Sequence, residues 1–132
     1  MLTSELEKKL NDPEAFNGEM IENNSPPKLP DVLSKYIDER KVKKASIIRI
    51  LNVDRNYGYQ MLNGTRTPTR NCLLRISLIL KLDSDQINYL LRLAGKSPLY
   101  VRNIVDAKVF YAVKHRMEYA EAVDFIWGTQ IM

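Results

Sequence analysis

Residues 44–51 read Lys44-Ala45-Ser46-Ile47-Ile48-Arg49-Ile50-Leu51 and residues 52–54 read Asn52-Val53-Asp54. Residues 55–68 continue Arg55-Asn56-Tyr57-Gly58-Tyr59-Gln60-Met61-Leu62-Asn63-Gly64-Thr65-Arg66-Thr67-Pro68. Ile47, Ile48, Ile50 and Leu51 mark a short helix that starts near Lys43 or Lys44. Asn52 tolerates the left-handed conformation that ends a helix. Asp54 is an N-cap for a second helix over about 55–62, and Asn63-Gly64 terminates it. Val53, the apolar residue of the turn, is placed to pin the two helices together. Two short helices across a three-residue turn form a helix-turn-helix geometry.

The sequence on both sides is helical in pattern. Upstream, Leu29, Val32, Leu33, Tyr36 and Ile37 recur at three- and four-residue steps and predict a first amphipathic helix. Downstream, Leu73, Leu74, Ile76, Ile79 and Leu80 predict a fourth, strongly apolar helix. Asp83 or Ser84 caps a fifth, with Ile87, Leu90, Leu91 and Ala94 on its inner face and Gly95 as its stop. Ser97-Pro98 reads as an N-cap with proline at the first helical position. The sixth helix is therefore expected to begin there and to bury Val101, Ile104, Val105, Val109, Tyr111 and Val113. A seventh covers about 119–127, with Tyr119, Phe125 and Trp127 as packing residues or an oligomer seam. Helices four and five resemble six and seven as units, opened by Arg70-Asn71 and Arg102-Asn103. The drift in register favours a repeated helical hairpin over a duplication. No stretch alternates with period two, so the class is all-α.

The amino end differs. A short helix is expected over residues 3–11, with Ser4 and Glu7 at capping-box spacing and Pro13 blocking extension. Residues 12–30, with Asn17-Gly18, Pro26-Pro27 and Pro30, read as a linker or arm. Asn23-Asn24-Ser25 and Asn63-Gly64-Thr65 match the glycosylation pattern by chance, since no secretory signal precedes them. The organisation is thus an acidic arm over 1–28, a five-helix unit over 29–95 and a helical extension over 96–132.

Composition narrows the chemistry. With 132 residues the chain holds one domain plus a tail. It has one cysteine and one histidine. It therefore cannot form an internal disulfide, and Cys and His alone cannot build a zinc site. Nucleophilic catalysis that needs a histidine base must pass through His115, which has no nucleophile or paired acid nearby in sequence. His115 sits at a helix end, where its protonated form suits the dipole. Cys72 reads as a small core residue. Arg102 and Asp106, four apart, are expected to pair on helix six. No Gly-rich phosphate loop and no carboxylate cluster with metal-ligand spacing occurs, so no cofactor, metal or catalytic residue is expected. Without a signal peptide or a run of about 18 apolar residues, the expected address is the cytoplasm and no membrane partner is expected.

Charge is uneven. The net charge is +4. Residues 1–28 carry 3 lysines and 6 acids, residues 29–82 carry 11 basic and 4 acidic residues, and residues 83–132 carry 6 of each. A basic middle third suggests a surface for a polyanion, although a solvated basic face that binds nothing has the same charge.

The 44–68 segment resembles the phage-repressor-like Cro/Xre family of helix-turn-helix domains. There a Gly-Val/Ile-Ser/Thr turn precedes the recognition helix, and an Asn-Gly-x-x-x-Pro element follows it, as Asn63-Gly64-Thr65-Arg66-Thr67-Pro68 does here. The resemblance spans about residues 29–92. Two positions depart from the family pattern: Gly58 stands where an apolar core residue is usual, and Asn52 replaces the turn glycine. Ile48, where the family often has Ala, is the residue able to fill the space at Gly58. The resemblance implies a five-helix repressor-like domain, to which the helical pattern beyond residue 95 adds a C-terminal hairpin outside the family core. It also implies a sequence-specific, double-stranded DNA-binding regulator of transcription.

Carried over position by position, Lys44 meets a phosphate at the start of helix two. Arg55, Asn56, Tyr59 and Gln60 share the outward face of helix three and reach base edges. Arg suits guanine, Asn and Gln suit adenine, and Tyr59 a thymine methyl or a phosphate. Thr65, Arg66 and Thr67 lie on the DNA backbone, and Arg70 does likewise. Family members often bind as dimers, which makes self-association through the C-terminal helices an expectation. An alternative reading keeps the helix-turn-helix as scaffold and makes the protein an interaction adaptor without DNA binding; Gly58 and the long extension motivate it.

Overall fold

A computed structural model of the chain describes residues 26–128, and these form seven α-helices and no strand. The helices are α1 (Leu29–Arg40), α2 (Lys44–Leu51), α3 (Arg55–Asn63), α4 (Arg70–Ile79), α5 (Ser84–Leu93), α6 (Ile104–Lys114) and α7 (Tyr119–Trp127). The all-α class follows, and the first five helices and the last lie where the hydrophobic periodicity puts them. The helix expected over 3–11 lies outside the described residues, as does most of the arm.

Local chemistry sets most boundaries. The side chain of Asp54 accepts from the N–H of Tyr57 and opens α3. Thr69 accepts from the N–H of Cys72 and opens α4. Asp83 and Gln86 exchange side-chain-to-backbone bonds in a capping box at α5. Asn52 ends α2 at φ 58°, and Gly64 ends α3 at φ 92°. Lys41, Lys81 and Arg116 also take the left-handed conformation, each just past a helix end. In all three places the chain reverses with the paired 6→1 and 5→2 backbone bonds of a Schellman turn or a close relative of it.

One hydrophobic core runs through all the helices. Leu33, Ile47, Leu62, Leu73, Ile76, Ile87 and Leu90 are completely buried in it. Val109, Ala112, Ala122 and Ile126 bring α6 and α7 into the same cluster. Helix α7 packs on α4, where the guanidinium of Arg75 lies 4.3 Å from the Trp127 ring centroid. The ion pair Lys81–Glu118 at 2.7 Å is exposed on both sides and adds little.

Helix α6 departs from expectation. It starts at Ile104, not after Ser97-Pro98. Four tertiary bonds occupy the intervening backbone. Arg70 donates to the carbonyls of Ser97 and Pro98. Asn88 accepts from the N–H of Leu99, and Asp106 accepts from that of Tyr100. In a helix beginning there the Ser97 and Pro98 carbonyls would accept the first ladder bonds; Arg70 takes them instead, and the helix begins at the Asn103 cap on the Asp106 N–H. Val101 and Ile104 are consequently 65% and 74% exposed, and Tyr111 is exposed too, against their expected burial. Arg102 lies ahead of the helix, so it does not pair with Asp106 as an i, i+4 neighbour. Asp106 is instead bound by Arg70. The two hairpins therefore differ at their openings: Arg70 begins α4, while Asn103 is a cap outside α6.

Candidate nucleic-acid interface

Helix α3 buries Gly58, Met61 and Leu62, which define its inner stripe. At 100° per residue, Asn56 and Gln60 fall on the opposite side, one above the other. Arg55 and Asn56 are exposed and Gln60 half-buried. Arg55 and Tyr59 form a second pair on the flank towards α2, with the guanidinium carbon 5.9 Å from the ring centroid. Tyr59 is half-buried there and borders a shallow cleft with Ala45, Ile48 and Arg49. The four expected helix-three residues thus occupy a face and its edge, with Tyr59 partly absorbed into packing.

Helix α3 lies close on α2 because of Gly58. A Cβ built there would stand 2.7 Å from Ile48 Cγ1 and 2.8 Å from Cγ2. Ile48 occupies the volume that a side chain at position 58 would need, so the glycine leaves no void. The departure at one position is matched by the departure at the other.

The loop after α3 completes the surface. Thr65, Arg66 and Thr67 are exposed. Arg66 is held at both ends: its N–H donates to the Gln60 carbonyl at 3.1 Å, and its guanidinium lies 5.8 Å from the Tyr57 ring centroid. Lys44, the first residue of α2, donates from Nζ to Asn63 Oδ1 at 2.9 Å. This bond joins the start of α2 to the end of α3, so Lys44 and the loop share one edge. No side chain caps the α2 N-terminus, which leaves its first-turn N–H groups available to an anion. Asp54, by contrast, caps α3 with a carboxylate, so α3 offers side chains rather than its N-terminus. Tyr57 and Asn63 belong to the surface, although their part was not apparent in the sequence. Their signal was spacing: Tyr57 precedes Arg66 by one helix length, and Asn63 closes it.

Arg70 stands apart. Its guanidinium makes a two-pronged bond to Asp106 at 2.9 and 2.8 Å and also reaches the Ser97 and Pro98 carbonyls. Its guanidinium is thus engaged by groups of the protein itself, unlike the free side chain expected to meet a phosphate. Burial works to raise the Asp106 carboxyl, but hydrogen bonds from Arg70 and the Tyr100 N–H, with the Arg70 charge, hold it below its ordinary value. Cys72 lies behind the surface, 3.5 Å from Met61 Sδ. Burial pushes its thiol up, only partly offset by Arg75.

His115 is the C-cap of α6, with its ring 4.1 Å from that of Tyr111. Among the described residues, no group of three His, Cys, Asp or Glu side chains is arranged to hold a metal ion. No helix among them is long and apolar enough to cross a membrane.

No family, no curated protein and no solved structure matches this chain.

Proposed function

We propose that the protein is a sequence-specific DNA-binding regulator of transcription built on a Cro/Xre-like helix-turn-helix. One observation carries the proposal. The Lys44–Asn63 bond joins the start of α2 to the end of α3, directly before the exposed Thr65-Arg66-Thr67 loop, and Arg55 and Asn56 of α3 are exposed as well. In this reading α3 enters the major groove. Asn56 and Gln60 supply amide groups suited to adenine, and Arg55 a fork suited to guanine. Lys44, Thr65, Arg66 and Thr67 hold phosphates and set the register. The exposed Val101 and Ile104 support self-association through the C-terminal segment, which would present two α3 helices to a two-fold-symmetric site.

The same exposed apolar residues support the second reading, an adaptor that binds a protein and not DNA. Fluorescence anisotropy on fragments of the DNA upstream of the coding sequence separates the two. With about four to six phosphate contacts, log affinity falls against log salt with a slope near −4 to −5. One fragment should bind well above bulk DNA, and N56A/Q60A should remove that preference while leaving the salt slope. Equal weak binding to every fragment leaves only a basic surface. No binding at low salt overturns the proposal in favour of the adaptor.

A further inference from the structure

A cleft of about 270 Å³ lies where the C-terminal hairpin meets the five-helix unit. Leu78 and Leu82 on one side and Ala112, Val113 and Met117 on the other give it an apolar part, and polar groups make up the larger share of its exposed lining. Arg40, Lys81, Arg116 and Asp83 complete the lining. The charges are not balanced pairwise. Lys81 is matched by Glu118. The carboxylate of Asp83 accepts the Gln86 N–H at the α5 N-terminus. Neither the Arg40 nor the Arg116 guanidinium has a hydrogen bond or an ion pair among the described residues.

The backbone adds a second observation. Lys81 and Arg116 hold φ values of 54° and 51°. Glycine takes that conformation without a steric cost, and L-residues do not. Both are αL positions of the helix-ending turns described above, and those turns place Lys81 and Arg116 on one cleft.

We infer that this cleft binds a small amphipathic carboxylate, its acid group held by Arg116 and Arg40 and its apolar body laid on the leucine, valine and methionine side chains. Guanidinium forks suit a planar carboxylate, with two parallel N–H donors each. A cleft of this size accommodates a short organic acid. Because its walls come from α1, the α4–α5 turn and the α6–α7 turn, an occupant would brace the hairpin against the unit that carries α3. The site shares no residue with the nucleic-acid interface and does not rest on that reading.

The test is calorimetric titration of the full chain with hexanoate, hexanamide and inorganic phosphate. Hexanoate should bind, and hexanamide should bind at least about tenfold more weakly, the worth of a charge-assisted hydrogen bond. R116G and R40Q should each weaken hexanoate by a similar factor. R116G should also melt no lower than the parent protein, because glycine relieves the left-handed turn. That separates a ligand-binding arginine from one that merely supports the fold. Arg102→Gln, an exposed arginine away from the cleft, should bind like the parent. The inference is overturned by no hexanoate binding, by equal binding of acid and amide, or by unchanged binding in R116G and R40Q. Phosphate binding as tight as hexanoate overturns it too, since the apolar part would then contribute nothing.

Discussion

A methyl group added at Gly58 would arrive 2.7 Å from Ile48 Cγ1, well inside van der Waals contact. Alanine is the better helix former by about 1 kcal/mol, yet overpacking a filled core costs about 1–3 kcal/mol. Gly58→Ala is therefore expected to lower stability in urea unfolding, against its propensity. I48A alone opens a cavity and should cost about 2–5 kcal/mol. Combined, the two changes should cost less than their sum, with a coupling of about 0.5–3 kcal/mol; strict additivity would show that the residues do not share the space. This complementarity was legible in the sequence, because both residues sit in short helices of fixed spacing. The fate of Arg70 was not. Its partner lies 36 residues away, and no local pattern distinguishes an arginine that will meet phosphate from one that will meet a buried aspartate. Arg70→Ala leaves Asp106 buried without its counter-charge and should cost about 3–5 kcal/mol. Because the folded Asp106 carboxyl lies below its unfolded value, its contribution is fully present above the ordinary carboxylate range. It should fade as pH falls through the folded value. Thermal melts of the parent protein between pH 7 and pH 2 should show that loss, and D106N should flatten it.

At the scale of the element, six helices follow directly from periodicity and caps, and α6 shows what overrides them. Ser97-Pro98 carries a correct helix-start signal, but Arg70 takes the Ser97 and Pro98 carbonyls that a helix there would use, while Asn88 and Asp106 fix the Leu99 and Tyr100 amides in place. A start signal states only a local preference, worth about 1 kcal/mol, and several tertiary bonds exceed it. Asn103 is the cap that operates. Asn103→Ala should cost about 1 kcal/mol and raise amide exchange over the first turn of α6. Ser97→Ala should have almost no effect. Equal effects would mean that the helix begins earlier.

Across the whole molecule, periodicity identified which faces of α6 and α7 are apolar but not where they dock. Docking depends on surfaces separated by dozens of residues, such as Trp127 against Arg75. The same scale relates the amino end to the edge proposed to meet DNA. Gly64 has φ 92°, and a Cβ on it would lie 2.7 Å from Pro30 Cγ. The chain therefore enters the fold beside the 65–67 loop, and the sequence of residues 1–28 carries twice as many acids as lysines. Removing residues 1–25 should raise DNA affinity at low salt and leave it unchanged at high salt, where screening shortens to a few ångström. An effect equal at both salts would exclude an electrostatic origin. The Pro30–Gly64 contact also offers a vantage point for spectroscopy. A fluorophore attached through Lys28→Cys would sit two residues from that contact. The native thiol, half-buried and with its ionisation suppressed, would react slowly enough to leave the dye at one address. Its emission would then register the arrival of DNA at the corner where the chain enters, without a label on any residue that touches the duplex.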